Sequence, residues 1–155
     1  LLSNFQLYPG PETEQLQALA RASISRRCAR HYQGFFRGMC REHERADQPR
    51  AKSLLYAYRV ALTGIHLLRT GELIADLRQL APRLGYPDAL ALIKIKAEGV
   101  EKGAVNPEVD AQHRAAWPAL EADLAVALAT SPLPEEAPNE AACEAWLVEL
   151  RCARL

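Results

Sequence analysis

Apolar residues recur along the chain at intervals of three and four, while strict alternation of apolar and polar positions never lasts more than a few residues. That period belongs to the α-helix, so the pattern predicts helices and almost no strand. Pro and Gly divide it into five or six helices, an all-α helical bundle. A first helix is expected from Pro11 to about Arg21, with Pro11 suited to a first helical position and Glu12 and Glu14 to the positive end of the dipole. A long helix follows over about 23–46. Ile24, Cys28, Tyr32, Phe35 and Met39 form its apolar side, and Arg26, Arg30, Arg37 and Arg41 the opposite side. Pro49 pushes the preceding residue out of helical geometry and ends it.

The next helix is expected from about Arg50 to Thr70, closed by Gly71 as a C-terminal cap. "DLRQLAPRLG" and "DALALIKIKAEG" form a shorter pair, and "GVEKGAVNPE" reads as a polar loop. The segment from about Val109 to Thr130 reads as an acidic helix that Pro118 should kink or break. "SPLPEEAPN" is a Pro-rich linker that leaves Asn139 as the N-cap of a last helix, striped by Cys143, Trp146, Leu150 and Ala153.

One of these helices has an unusual pattern. Lys52, Tyr56, Arg59, Thr63, His66 and Thr70 fall on one face of the segment 50–70, whose other faces are mostly apolar. A Lys and an Arg on the remaining face of a buried helix should border a cleft, because burying an unpaired charge is prohibitive. Seven residues span roughly 10 Å along a helix axis, comparable with the length of a triphosphate. Tyr56 between them offers a ring for stacking or a hydroxyl for hydrogen bonding. Lys52, Tyr56, Arg59 and His66 are therefore candidates for a nucleotide or phosphate site. The competing reading pairs the stripe with carboxylates of the acidic helix.

Charge changes the picture more than composition does. The net charge is zero, yet nine basic and three acidic residues lie between Arg21 and Lys52, against one basic and nine acidic between Glu108 and Glu149. An anionic partner at the basic half, or one half docked on the other, would explain such asymmetry. Arg outnumbers Lys by 15 to 4, which favours bidentate anion recognition. Arg26, Arg30, Arg37 and Arg41 are candidates for a nucleic-acid backbone, or simply a solvated face. Two pairs, Arg26 with His31 and Arg59 with His66, fit the loose R-x(4–6)-H signature of helical ribonucleases of the HEPN type. His43 and His113 have no evident partner along the chain and are expected to face solvent or end helices. The four cysteines form no Cys-x-x-Cys pair and read as reduced thiols of a cytoplasmic protein.

Neither a membrane span nor a signal peptide is evident. "LLSNFQLYPG" opens without Met and reads as the start of a fragment. The chain contains no glycine-rich phosphate loop, Asp-x-Asp pair, His-Glu-x-x-His or Gly-x-Ser-x-Gly motif, and its carboxylates are scattered. No catalytic residue and no metal ligand is therefore expected within it.

The run from Lys52 to Glu72 contains Lys-x3-Tyr-x2-Arg followed by Leu-Leu-x-x-Gly. With "SRRCARHYQGFFRG" before it and "TSPLP" after it, it resembles the helical C-terminal half of nucleotidyltransferases in the DNA polymerase beta superfamily, in a branch associated with RNA repair. The resemblance covers about residues 1–150. It implies that residues 1–155 are a single helical domain, the substrate-binding half of a longer enzyme. It also implies an N-terminal catalytic domain as partner, carrying a Gly-Ser motif and carboxylates that bind two Mg²⁺ ions. The nucleotidyl group of a nucleoside triphosphate would pass to a hydroxyl acceptor, RNA among the candidates. By position Lys52 and Arg59 match the family's Lys and Arg and would neutralise the β and γ phosphates. Tyr56 stands where the family has His, which favours stacking or hydrogen bonding over acid–base chemistry. Two alternatives stand beside this reading: a metal-independent ribonuclease using Arg59 and His66, and a structural helical module.

Overall fold

The computed structural model describes residues 10–98 and 104–153, and its architecture is all-α. Eight α-helices run through the described residues: α1 (Thr13–Ala22), α2 (Cys28–Glu44), α3 (Ala51–Thr70), α4 (Leu77–Arg83), α5 (Ala91–Glu98), α6 (Pro107–Arg114), α7 (Trp117–Ala129) and α8 (Glu140–Cys152). Residues Pro87–Leu90 add a 3-10 turn before α5, and Arg50 forms an isolated antiparallel bridge with Ala104. The count exceeds five or six partly because Pro118 breaks the acidic segment instead of kinking it. Lacking an N–H, it sits in the first turn of α7, where none is needed. The expected cap at Gly99 and the loop residues up to Gly103 lie outside the described residues.

The helices divide into two compact units, one of residues 28–132 and one of residues 1–27 with 133–155. Within the first of these, α3 is the axis. It packs against α2, α7, α5 and α4, and it is buried without a break from Val60 to Leu68. Gly71 ends it as expected, at φ 77°, with its N–H donating to Leu67 O at 2.8 Å. Gly64 lies where both α2 and α7 press on α3: a Cβ there would meet Tyr32 and Leu124.

The buried line of α2 is Ala29, Phe36 and His43, seven residues apart, not the expected line through Cys28, Tyr32, Phe35 and Met39. Phe36 is 2 % exposed and its neighbour Phe35 41 %. The helix starts at Cys28, not near Ser23. Ser23 closes α1 through its N–H to Leu19 O, and Arg26 N donates to Pro134 O, so these residues are held outside α2.

In the other unit, α8 begins after Asn139, as expected. The Asn139 side chain does not cap it, however. It accepts from Ser23 Oγ at 3.1 Å and donates to Leu19 O at 2.9 Å, tying α8 to the end of α1. Among the described residues no helix is long and apolar enough to cross a membrane.

Candidate functional site

The polar stripe of α3 divides in two. Lys52 and Arg59 are exposed and Tyr56 is half-buried, whereas Thr63 and His66 are buried. The middle turns of the helix cannot stay wet once neighbouring helices close over them, so a ligand could reach the cationic part of the stripe only at its N-terminal end.

At that end a groove of 790 Å³ opens between α2, the segment 46–50 and the first turns of α3. Phe35, Met39 and Glu42 line it from α2, and Lys52, Ser53 and Tyr56 from α3, with Asp47 and Arg50 alongside. The Arg59 guanidinium lies over the Tyr56 ring, Cζ 4.4 Å from the centroid, and Lys52 Nζ approaches the same ring at 5.9 Å. Stacking of this kind holds a cation in place without neutralising it. Neither Lys52 nor Arg59 makes an ion pair among the described residues. The reading that pairs the stripe with the acidic helix is therefore not what the structure shows at these two positions. Glu42 and Asp47 equal Arg50 and Lys52 in number within the lining, so the excess of positive charge is local to the Lys52–Arg59 edge, where neither cation has an ion pair among the described residues.

His66 belongs to a different environment. It is 2 % exposed, with Nε2 3.4 Å from Thr70 Oγ1 and 3.8 Å from a Glu72 carboxylate oxygen. Burial, aided by Arg83 and opposed by Glu72, holds its pKa below the ordinary 6.5. His113 is also buried and held low, mainly by desolvation, and its Nδ1 lies 3.2 Å from the Tyr58 hydroxyl. Burial in turn pushes that phenol up to about 12, so Tyr58 keeps its hydroxyl hydrogen, and the tautomer of His113 decides which of the two donates.

The two imidazoles give a pH dependence whose sign is fixed. The unfolded chain takes up protons near 6.5 that the folded chain resists, so their contribution is complete above 6.5 and is lost as pH falls through the folded values. The urea midpoint is therefore expected to drop between pH 7 and pH 5, less steeply in His66→Gln. A midpoint flat across that range would contradict it.

The four arginines do not act as one set. Arg26 precedes α2, and its Nε donates to Leu133 O at 2.9 Å. Arg37 pairs with Glu121, and Arg30 and Arg41 are exposed. The Cys40 thiol is pushed up to about 12, mainly by burial, which makes it a poor nucleophile.

His43 and His113 stand in the last turns of α2 and α6, so both end helices as expected, but neither faces solvent or lacks a partner. Each is buried, and His43 has Nδ1 2.6 Å from Ser53 Oγ and Nε2 2.6 Å from Asp110 Oδ1, with the Trp117 ring nearly perpendicular to its own at 5.7 Å between centroids. His113 likewise faces Tyr58 and not solvent. Neither partner is near in sequence, and no local spacing announces them.

The family model described as RNA repair pathway DNA polymerase beta family (RlaP) matches residues 5–149. The chain belongs to this family. No curated protein and no solved structure matches it. Membership agrees with the resemblance carried by Lys52, Arg59 and Gly71, and the segment "TSPLP" gains a structural role, since Ser131 donates to Leu68 O near the end of α3. The resemblance noted in the sequence would imply magnesium ions held by clustered carboxylates. Among the described residues no three His, Cys, Asp or Glu side chains converge where a metal ion could sit, so the residues present do not fit that centre. No step through a metal is assigned to them.

Proposed function

We propose that this chain supplies the polyphosphate-binding helical part of a nucleotidyltransferase, with the metal-binding carboxylates contributed by a catalytic domain outside these residues. A nucleoside triphosphate lies along the groove edge, where Lys52 and Arg59 neutralise its β and γ phosphates and Tyr56 holds the Arg59 plane. Charge-assisted bonds of this type strengthen as negative charge builds on a departing pyrophosphate. Arg30 and Arg41, exposed and without an ion pair among the described residues, are the arginines left to meet the backbone of an RNA acceptor. The observation that carries the reading is the Lys52–Tyr56–Arg59 array, cationic, stacked and unneutralised beside an open groove.

Titration calorimetry with tripolyphosphate and with a nucleoside triphosphate tests it. Lys52→Ala with Arg59→Ala is expected to weaken both affinities by about tenfold or more. Because both side chains are exposed, the thermal unfolding curve should stay in place. Unchanged affinity would overturn the reading. A ribonuclease using Arg59 and His66 is disfavoured, since its general base would have to act from a nearly inaccessible position.

A further inference from the structure

Beside the Lys52–Arg59 edge the groove holds a second set of groups that phosphate binding does not use. Ser53 lines the groove half-buried, and the His43 imidazole next to it is 4 % exposed. The 2.6 Å separations put the imidazole between a hydroxyl and a carboxylate contributed by different helices. A carboxylate only accepts, so His43 Nε2 carries a hydrogen and donates it to Asp110. The Ser53 hydroxyl then has two acceptors, Arg50 O at 2.9 Å and, whenever the imidazole is neutral, His43 Nδ1. With the hydroxyl on Arg50 O, His43 Nδ1 can meet Ser53 Oγ only as a donor and has no lone pair free to take a proton. With the hydroxyl turned to Nδ1, a base oriented by a carboxylate is poised to take its hydrogen. That second arrangement has the geometry of an activated nucleophile. The two ring nitrogens are used in the reverse of the serine-protease order, but either can accept a proton. Trp117 covers one side of the pair, and Arg114 stands 3.7 Å from the second oxygen of Asp110.

We propose that Ser53 is a nucleophile primed by His43 and Asp110, and that it accepts a phosphoryl-type group from a phosphate ester or anhydride lying in the groove. The class of electrophile follows from Lys52, which lines the groove at its cationic edge without an ion pair among the described residues and can balance charge on phosphoryl oxygens. Glu42 and Asp47 leave the rest of the lining without an excess of positive charge. In the step, a bond forms from Ser53 Oγ to phosphorus and the bond from phosphorus to the leaving oxygen breaks. The leaving group departs with the bonding pair. The hydroxyl hydrogen passes as a proton to His43 Nδ1, and Asp110 offsets the resulting imidazolium charge. The choice of electrophile rests on the polyphosphate reading of the groove, whereas the nucleophile itself does not.

The test is labelling of the full chain with a fluorophosphonate, in which fluoride is the leaving group, followed by peptide mass spectrometry. Ser53 is expected to be labelled in the folded protein and the adduct to vanish in Ser53→Ala. Asp110→Asn keeps an acceptor for His43 but removes the charge, and should slow labelling by about tenfold or more, with circular dichroism confirming that the variant is folded. Labelling of Ser53 no faster than in the urea-unfolded chain would overturn the proposal, as would wild-type labelling in a folded Asp110→Asn. Failure of the polyphosphate reading would appear elsewhere, in the tripolyphosphate titration.

Discussion

Gly64→Val is expected to destabilise the fold by about 3 kcal/mol, the upper end of what overpacking a core usually costs. The reason is local and severe. A Cβ at residue 64 would sit 2.7 Å from both Cβ and Cγ of Tyr32 and 3.0 Å from Leu124 Cδ2. Tyr32 Cβ is fixed to the backbone of α2, so relief requires the helix to retreat and not merely a side chain to turn. Valine adds two methyl groups to that clash and loses rotamer freedom in the helix. Alanine would meet the same first contact, but its advantage of about 1 kcal/mol in helix propensity returns part of the loss. Thermal unfolding should show a midpoint lower by roughly 10 °C for valine, with alanine in between. A valine variant as stable as the parent would mean that α2 and α3 are not so closely packed at this point.

His43→Leu should be as damaging, by about 3–5 kcal/mol, because it leaves the Asp110 carboxylate buried without its partner. Arg114 at 3.7 Å compensates only partly, as it also bonds Glu44. Replacing both members changes the sign of the argument. His43→Leu with Asp110→Leu removes the charge together with its partner and should recover much of the loss. Urea unfolding of the two singles and the double completes the cycle. Independent, additive losses would show that the pair contributes nothing as a pair.

The helices and the cationic edge were both legible in the sequence, for one reason. They depend on positions within a single helix, where spacing alone determines what shares a face. Lys52, Tyr56 and Arg59 are one turn apart, and their stacking follows from that spacing. The face of α2 was not legible. Phe35 and Phe36 are adjacent and equally apolar, and the deciding third member of the buried line is His43, a residue that hydrophobic patterning counts as polar. Nor could the sequence divide the polar stripe of α3, because burial of Thr63 and His66 is imposed by helices that pack over them from elsewhere in the chain. The His43–Ser53–Asp110 array was out of reach altogether. Its ends are separated by more than half of the larger unit, and only the folded arrangement of α2, α3 and α6 brings them within bonding distance.

Because the Arg59 guanidinium lies over a phenol ring, Cζ 4.4 Å from its centroid, it has a resting place before any partner arrives. A freely rotating side chain would surrender its freedom on association, whereas here part of that freedom is already given up to the ring contact. Lysine at the same position would keep the positive charge but lose the plane. The position therefore selects for the shape of the cation as much as for its charge.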